Sequence, residues 1–338
     1  MLGDGVQRIR RGVRSTWHDH KVDQLLNHLK PVLSGSDLCI GNLECMVGEV
    51  HPANPRFMTY KGEAAHLCEL KALGFTHLSL ANNHVLDEGL AVAQESERLT
   101  AEAGVTPLCG VEPQRTVIDG VSVDFFTFNL IRDHAGAGFY RDEVTEKDFE
   151  IIRASDADAK VVCIHWGDEY SEYPSPSQID LAHKFVDSGI QAVLGHHPHV
   201  IQGVERYKDS IIAYSLGNFV FDMDWSARTR SALILELEIA GKAVTKSKTT
   251  YVESGKDYVP QPVRPSSDLL EVDRNVLRFV DQPNEYASYS QAALRKARIQ
   301  ALINLFSRFY AVHPKTWEIL FGRRLQRIFP KLKHAYAN

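Results

Sequence analysis

The stretch Gln191-Ala192-Val193-Leu194-Gly195-His196-His197-Pro198-His199 decides how the rest of the chain is read. Its first four residues form a short, mostly apolar run of strand type, and the run breaks at a glycine into three histidines. Pro198 fixes its own φ and so stiffens the loop that carries His197 and His199. Chelating side chains placed just past a buried strand point to the crevice beyond the carboxyl ends of the strands in an α/β sheet, where ligands bind.

Three more apolar runs end in the same way. Leu38-Cys39-Ile40-Gly41-Asn42-Leu43-Glu44 closes on a carboxylate. Leu78-Ser79-Leu80-Ala81-Asn82-Asn83-His84 closes on amides and an imidazole, and Val162-Cys163-Ile164-His165-Trp166-Gly167 on another imidazole. Strands are expected over 37–43, 77–81, 120–130, 160–165, 191–194, 210–221 and 231–239. Helices are expected over 64–73, 90–103 and 177–188, each stopped by a glycine (Gly74, Gly104 and Gly189). Short apolar runs alternating with helical stretches predict an α/β fold: a parallel or mixed sheet with helices outside.

Taken singly, these residues have ordinary structural readings. A strand-end histidine is commonly a satisfied core residue, Asn82 and Asn83 suit a turn, and Glu44 suits a cap or the surface. Together they offer a carboxylate oxygen, an amide oxygen and several imidazole nitrogens. That mixed set suits Zn, Mn or Fe rather than Ca.

Composition bounds the remaining choices. The chain has 338 residues, 44% hydrophobic and 24% charged, with a net charge of −5. This describes a globular protein large enough for a main domain plus an appendage, and argues against a nucleic-acid partner. The five cysteines form no C-x-x-C pair and read as buried thiols. No stretch approaches the roughly 20 apolar residues of a membrane span, and Met1–Arg14 lacks the apolar centre of a signal peptide. The expected location is cytoplasmic or peripheral to a membrane, although an anchor upstream of Met1 would change it.

Charge is unevenly spread. From Ser290 to Asn338 there are ten Lys or Arg against one acid, Glu318. Trp317, Leu320, Phe321, Leu325, Ile328, Phe329 and Leu332 share one helical face, flanked by Arg323, Arg324, Arg327, Lys331 and Lys333. Such a helix either packs on the main domain or lies on an anionic membrane. The expected division is a main domain over 1–256, a linker over 257–289, rich in Pro and Ser at its start, and a basic amphipathic helical tail over 290–338.

Five ordered motifs carry a resemblance. They are Gly41-Asn42-Leu43-Glu44; Ala81-Asn82-Asn83-His84 with Asp87 and Gly89; His165-Trp166-Gly167-Asp168-Glu169-Tyr170; Gly195-His196-His197-Pro198-His199; and Tyr214-Ser215-Leu216-Gly217-Asn218-Phe219. Between Gly3 and about Ile239 the chain resembles the CapA family of poly-γ-glutamate capsule biosynthesis proteins, which are similar to the calcineurin-like metallophosphoesterases. The resemblance implies a two-sheet sandwich flanked by helices, a four-layer αββα arrangement, with a C-terminal helical extension. It implies a centre of one or two divalent transition metal ions (Mn, Zn or Fe) held by Asp4, Glu44, Asn83, His165, His197 and His199, with His196 as an alternative to His197. His84 and Asn83 would take part in catalysis, His84 assisting the leaving group. Glu169, Ser215 and Asn218 are candidate substrate contacts; Gly217-Asn218 may equally turn the chain, and Asp87 with Gly89 may cap the helix that follows. Where the phosphoesterases carry Asp-x-His, this chain has Asp4-Gly5-Val6, so the second metal position depends on Asp4. The partners implied are a phosphoester or an anionic polymer such as poly-γ-glutamate, with peripheral membrane contact through the tail. The role is then either a metal-dependent hydrolase or a non-catalytic factor that binds or anchors the polymer.

Overall fold

The fold is a computed structural model that describes residues 4–5, 12–17, 20–48, 60–131, 138–263, 267–268 and 276–307. In chain order, its first half is built from β1 (Ile40–Asn42), α1 (Ala64–Leu73), β2 (His77–Ser79), α2 (Leu90–Glu102), β3 (Thr106–Leu108), β4 (Gln114–Ile118) and β5 (Val121–Asn129). There follow α3 (Glu146–Ala154), β6 (Ala159–His165), α4 (Pro176–Asp187), β7 (Ala192–His196), β8 (Ile201–Tyr207), β9 (Ser210–Leu216), β10 (Ser231–Ala240), β11 (Ala243–Ser254) and α5 (Pro283–Ser307).

The main sheet has six strands in the order β8-β9-β7-β6-β5-β4. The four inner strands run parallel, and both edge strands run antiparallel to their neighbours. All seven residues of β6 are buried, as a central parallel strand covered on both faces requires. On one face Phe126, Phe128, Val162, Ile164 and Ile212 pack against Phe149 and Ile152 of α3 and Ile179 and Phe185 of α4. On the other, Val123, Phe125, Val161 and Cys163 meet a second layer of strands through Leu108, Ile40, Leu237 and Ile239. That second layer comes in two pieces: the parallel set β1-β2-β3 and the antiparallel ribbon β10-β11. Leu67, Leu70 and Leu73 of α1 and Ala93 of α2 join the cluster that includes Leu78 of β2. The layers therefore run helix, sheet, sheet, helix, as the resemblance implies.

Local signals explain several boundaries. Ser175 caps α4 and exchanges hydrogen bonds with Gln178, and Pro176 occupies its first turn. Gly74 ends α1 in the left-handed region at φ 113°. The expected strand over 210–221 stops at Leu216, because Gly217 takes φ +74° and turns the chain out of the sheet. The expected linker over 257–289 contributes two short strands to β11, Pro260–Pro262 and Ser267–Asp268. Helix α5 begins at Pro283, inside that linker, rather than at Ser290. The tail face from Trp317 to Leu332 lies outside the described residues. Among those described, no helix is long and apolar enough to cross a membrane.

His77 serves the fold rather than the strand-end cluster. His77 is 3% exposed between the sheets, its ring 5.0 Å from that of Phe125, and its nitrogens lie 2.9 Å from the hydroxyls of Thr76 and Thr116. Burial pushes its pKa down to about 4. The unfolded chain binds a proton near pH 6.5 that the folded chain refuses. Stability is therefore full above about pH 6.5 and falls as pH drops toward 4, by roughly 3 kcal/mol in total from this group. Denaturant titrations across that window should show the acid slope shrink by up to about 1.4 kcal/mol per pH unit in His77→Phe; an unchanged slope would remove His77 as its source.

Candidate metal centre

The predicted ligands converge where the strands of both layers end. Glu44 follows β1, His165 ends β6, and His197 and His199 follow β7. Asn83 sits in the turn after β2. Glu44, His165, His197, His199 and Asn83 are all buried, in a region where side chains of that polarity require partners. Glu44 Oε1 lies 3.6 Å from His165 Nε2 and 3.5 Å from His199 Nε2. Ligand atoms of Glu44, His197 and His199 all lie within 4.8 Å of one another. His165 Nε2 is also 3.0 Å from Asn83 Oδ1.

Several of these atoms lack what burial demands. Glu44 Oε1, His165 Nδ1 and His197 Nδ1 are shielded from solvent and have no hydrogen-bond partner among the described residues. Glu44 Oε2 is held by the Asn42 amide at 3.1 Å, so the carboxylate is fixed with one oxygen aimed into the cluster. Burial, followed by the neighbouring histidines, holds His165 and His197 well below the usual imidazole range. His165 and His197 are thus neutral, with lone pairs available, beside an uncompensated carboxylate. A divalent cation supplies the missing charge and a partner for Glu44 Oε1, so these residues fit one. Oxygen and imidazole donors without a thiolate suit Zn, Mn or Fe.

Backbone geometry delivers the histidines at a cost in strain. His197 and His199 adopt φ of +101° and +58°, a region that non-glycine residues seldom enter. Strain at two residues flanking Pro198 is the pattern of a loop shaped for its ligands. The structure favours His197 over His196 as a ligand: His196 ends β7 and is only partly buried.

The amides near the centre differ in role. Asn82 is a turn residue: its Oδ1 accepts from the backbone N–H of His84 and Val85, and its Nδ2 donates to the Leu43 carbonyl. Asn218 is buried; its Nδ2 donates 2.9 Å to the Thr229 carbonyl, so its Oδ1 faces His199 Nδ1 at 3.1 Å as an acceptor. That contact fixes the proton on Nδ1 and leaves Nε2 turned toward Glu44. Asn218, expected as a substrate contact, is placed to orient His199. Ser215, also expected to meet substrate, is 1% exposed within β9, and its hydroxyl accepts from the Gly217 N–H at 3.3 Å. Zn or Mn affinity should fall about 10- to 100-fold in Asn218→Ala and stay unchanged in Ser215→Ala. Competition titration with a chelating dye checks this; equal losses would refute the assignment.

His84 and Asp87 form a pair, with His84 Nδ1 3.0 Å from Asp87 Oδ2. Asp87 therefore serves His84 rather than capping α2, whose N-cap is Gly89 with no side-chain cap. His84 Nε2 faces Asn83 Nδ2 at 3.4 Å, and its ring stands edge-on to Tyr60 at 4.6 Å. Glu169 is half-buried on the loop after β6; burial pushes the Tyr60 and Tyr170 phenols up, and the Glu169 carboxylate adds to both shifts. Asp4 lies on a two-residue strand, Asp4–Gly5, paired with Tyr60–Lys61; its side chain lies outside the described residues.

Sequence reasoning missed the bracing by α5. Tyr286 donates to Asp168 Oδ2 at 2.9 Å, Tyr289 accepts from the Glu172 N–H at 3.1 Å, and Asn304 donates to Asp224 Oδ1 at 3.0 Å. The helix thereby ties together the two loops that follow His165 and Asn218. Aromatic residues at 286 and 289, three apart, were the only signal for it.

A family model described as "Bacterial capsule synthesis protein PGA_cap" matches residues 1–223. The chain is 32% identical over 303 residues to the capsule biosynthesis protein CapA of Bacillus anthracis, covering 82% of this chain and 72% of that one. It is 27% identical over 297 residues to the PGA biosynthesis protein CapA of Bacillus subtilis (strain 168), covering 82% and 76%. It is 26% identical over 219 residues to a probable polyglutamine synthesis accessory protein of Mycobacterium tuberculosis (strain H37Rv), covering 56% and 57%.

Proposed function

The chain belongs to the family of bacterial capsule synthesis proteins PGA_cap, and from that premise we propose that it serves capsule poly-γ-glutamate biosynthesis as a metal-dependent hydrolase of phosphoesterase type. The observation that carries the hydrolase reading is the buried, unpartnered Glu44 Oε1 between His165 and His199. A divalent cation held by Glu44, Asn83, His165, His197 and His199 would supply Lewis-acid polarisation and offset the charge of an anionic substrate.

The chain's own residues do the rest. Asp87 holds the His84 ring by Nδ1, so Nε2 is the nitrogen that exchanges a proton with a leaving oxygen. Asn218 keeps His199 in one tautomer. Tyr170, its ring 6.3 Å from that of His199, and its neighbour Glu169 would lie beside a bound substrate.

The test is hydrolysis by the full chain loaded with Mn, Zn or Fe. The probes are an aryl phosphate, an aryl phosphodiester and poly-γ-glutamate of defined length. Metal-dependent turnover of at least one, lost with chelator, supports the reading; no turnover of any of them ends it.

A second reading is favoured by the basic excess after Ser290, ten Lys or Arg against one acid. In it the chain is an accessory factor that binds or anchors the anionic polymer at a membrane. Deleting residues 308–338 should then weaken binding to poly-γ-glutamate or anionic vesicles, and make its residual salt dependence shallower. Unchanged binding would count against it.

A further inference from the structure

Three non-glycine residues in the left-handed region lie on two neighbouring loops. His197 (φ +101°) and His199 (φ +58°) follow β7, and Tyr170 (φ +64°) follows β6. Such residues hold that conformation only where their surroundings over-determine it. The pairing of β6 with β7 ends at His165 and His196. The two loops meet again where the Tyr170 N–H donates to the Pro198 carbonyl at 2.8 Å. That carbonyl belongs to the peptide plane that leads into His199. The bond therefore fixes the plane from which His199 takes its left-handed turn, and it does so midway between the two histidine ligands.

The Tyr170 loop is itself gripped from two sides. On the inner side, Gln202 of β8 donates from Nε2 to the carbonyls of Ser171 at 3.0 Å and Tyr173 at 3.2 Å. Gln178 of α4 donates to Gln202 Oε1 at 3.1 Å, and both amides are buried. On the outer side stands α5. The Tyr286 hydroxyl donates to Asp168, two residues before Tyr170. The Glu172 N–H, two residues after Tyr170, donates to the Tyr289 hydroxyl. Three apart on a helix, the two tyrosines share a face and reach the same loop. Their rings are seated separately: Tyr289 lies 5.3 Å from Tyr173 and 5.2 Å from Phe279, and Tyr286 lies 5.9 Å from Phe279. The rings dock the helix, and the hydroxyls hold the loop. The inner amides grip the chain after Tyr170, at 171 and 173, whereas α5 grips it on both sides, at 168 and 172.

We propose that Tyr170 is a positioning residue of the metal centre, acting through its backbone N–H on the His197-Pro198-His199 turn, and that Tyr286 and Tyr289 of α5 hold it there. With the loop gripped, both histidines stand in their strained conformations before a metal arrives, so binding does not have to order them. With the grip lost, the turn relaxes toward ordinary backbone angles, and the metal must reorder it. Helix α5 thereby sets the affinity of a centre that it does not touch through any ligand. The role rests on the metal centre and not on hydrolysis, so metal binding without turnover ends only the hydrolase reading.

The test uses the full chain with Tyr286→Phe and Tyr289→Phe together, which keep both rings and remove both hydroxyls. Amide hydrogen exchange is read residue by residue on the metal-free protein, and Mn and Zn affinity by competition with a chelating dye. Exchange at Tyr170 should quicken at least about tenfold, an opening made easier by about 1.4 kcal/mol. Metal affinity should fall at least about tenfold, as it does when partners behind metal ligands are lost. Ser210→Ala removes a buried hydroxyl from the Ile190 carbonyl at the far end of β9. It is the control for lost stability alone and should change neither reading. Unchanged exchange at Tyr170 would overturn the proposal, because the glutamine amides would then hold the loop by themselves. Faster exchange with unchanged affinity would overturn it too, because the histidines would keep their places without the joint. An equal loss of affinity in Ser210→Ala, or a wild-type chain that binds neither metal, would end it as well.

Discussion

Replacing Glu44 by glutamine should lower metal-dependent hydrolysis by at least about 10³-fold in kcat/KM, about 4 kcal/mol of transition-state stabilisation, and should at the same time stabilise the metal-free protein. The two effects have one cause. Glu44 is 4% exposed, its Oε1 has no hydrogen-bond partner among the described residues, and burial holds the nearby imidazoles of His165 and His197 well below their usual range. Without a cation that carboxylate is a buried charge without compensation, so the isosteric amide should relieve roughly 1–3 kcal/mol. With a cation it is the only carboxylate among the described ligands, and the amide loses that charge. Thermal melts of the metal-free proteins and kinetics of the loaded ones read the two halves separately. A Glu44→Gln protein that is less stable without metal and fully active with it would show an ordinary structural carboxylate.

The second large effect is expected at Gly195. The residue sits in β7 between β6 and β9, where Trp166 Nε1 donates to the Tyr214 carbonyl at 2.9 Å. A Cβ at position 195 would lie 2.1 Å from that carbonyl oxygen and 2.6 Å from the Trp166 nitrogen. Neither group can yield without breaking the hydrogen bond or moving a buried strand. Gly195→Ala should therefore cost about 3 kcal/mol or more and displace the His196–His199 loop, so that metal affinity falls with it. Gly241→Ala is the control: a Cβ there meets nothing within 4 Å, and only its φ of +59° opposes the change, for about 1 kcal/mol. Chemical denaturation of the two variants should separate them clearly. Similar small losses in both would mean that the strands around Gly195 adjust freely.

The clustering of Glu44, Asn83, His165, His197 and His199 was legible in the chain because each follows an apolar run that the sheet must bury. Leu38–Leu43, Leu78–Ala81, Val162–Ile164 and Ala192–Leu194 are local signals, and the topology places their ends together. Helix α1 was expected at the bounds it takes, because its last residue is followed by a glycine that can turn left-handed. Other elements were hidden by polarity. Strand β11 alternates lysine, serine and threonine with few large apolar residues, since much of its outer face meets solvent. Helix α3 is short and acidic at its start, yet the pairing of Thr145 with Asp148 was a readable cap. The roles of Asn218 and Ser215 could not be separated in sequence. Both fall within the strand expected over 210–221, and only the turn at Gly217 sends one amide to His199 while the hydroxyl remains in the sheet. The bracing of two loops by α5 joins residues 80 to 118 apart in sequence, and the aromatic pair at 286 and 289 does not say which loops it meets.

The most direct measurement of the central claim is anomalous diffraction from crystals of the full chain grown with Mn or Zn, recorded on both sides of the absorption edge of that metal. The account predicts a peak among Glu44 Oε1, His165 Nε2, His197, His199 Nε2 and Asn83 Oδ1, and its loss in Glu44→Gln crystals grown the same way. A density map with the same five side chains in place and no anomalous peak between them, at a metal concentration that saturates other divalent-cation centres, would contradict it.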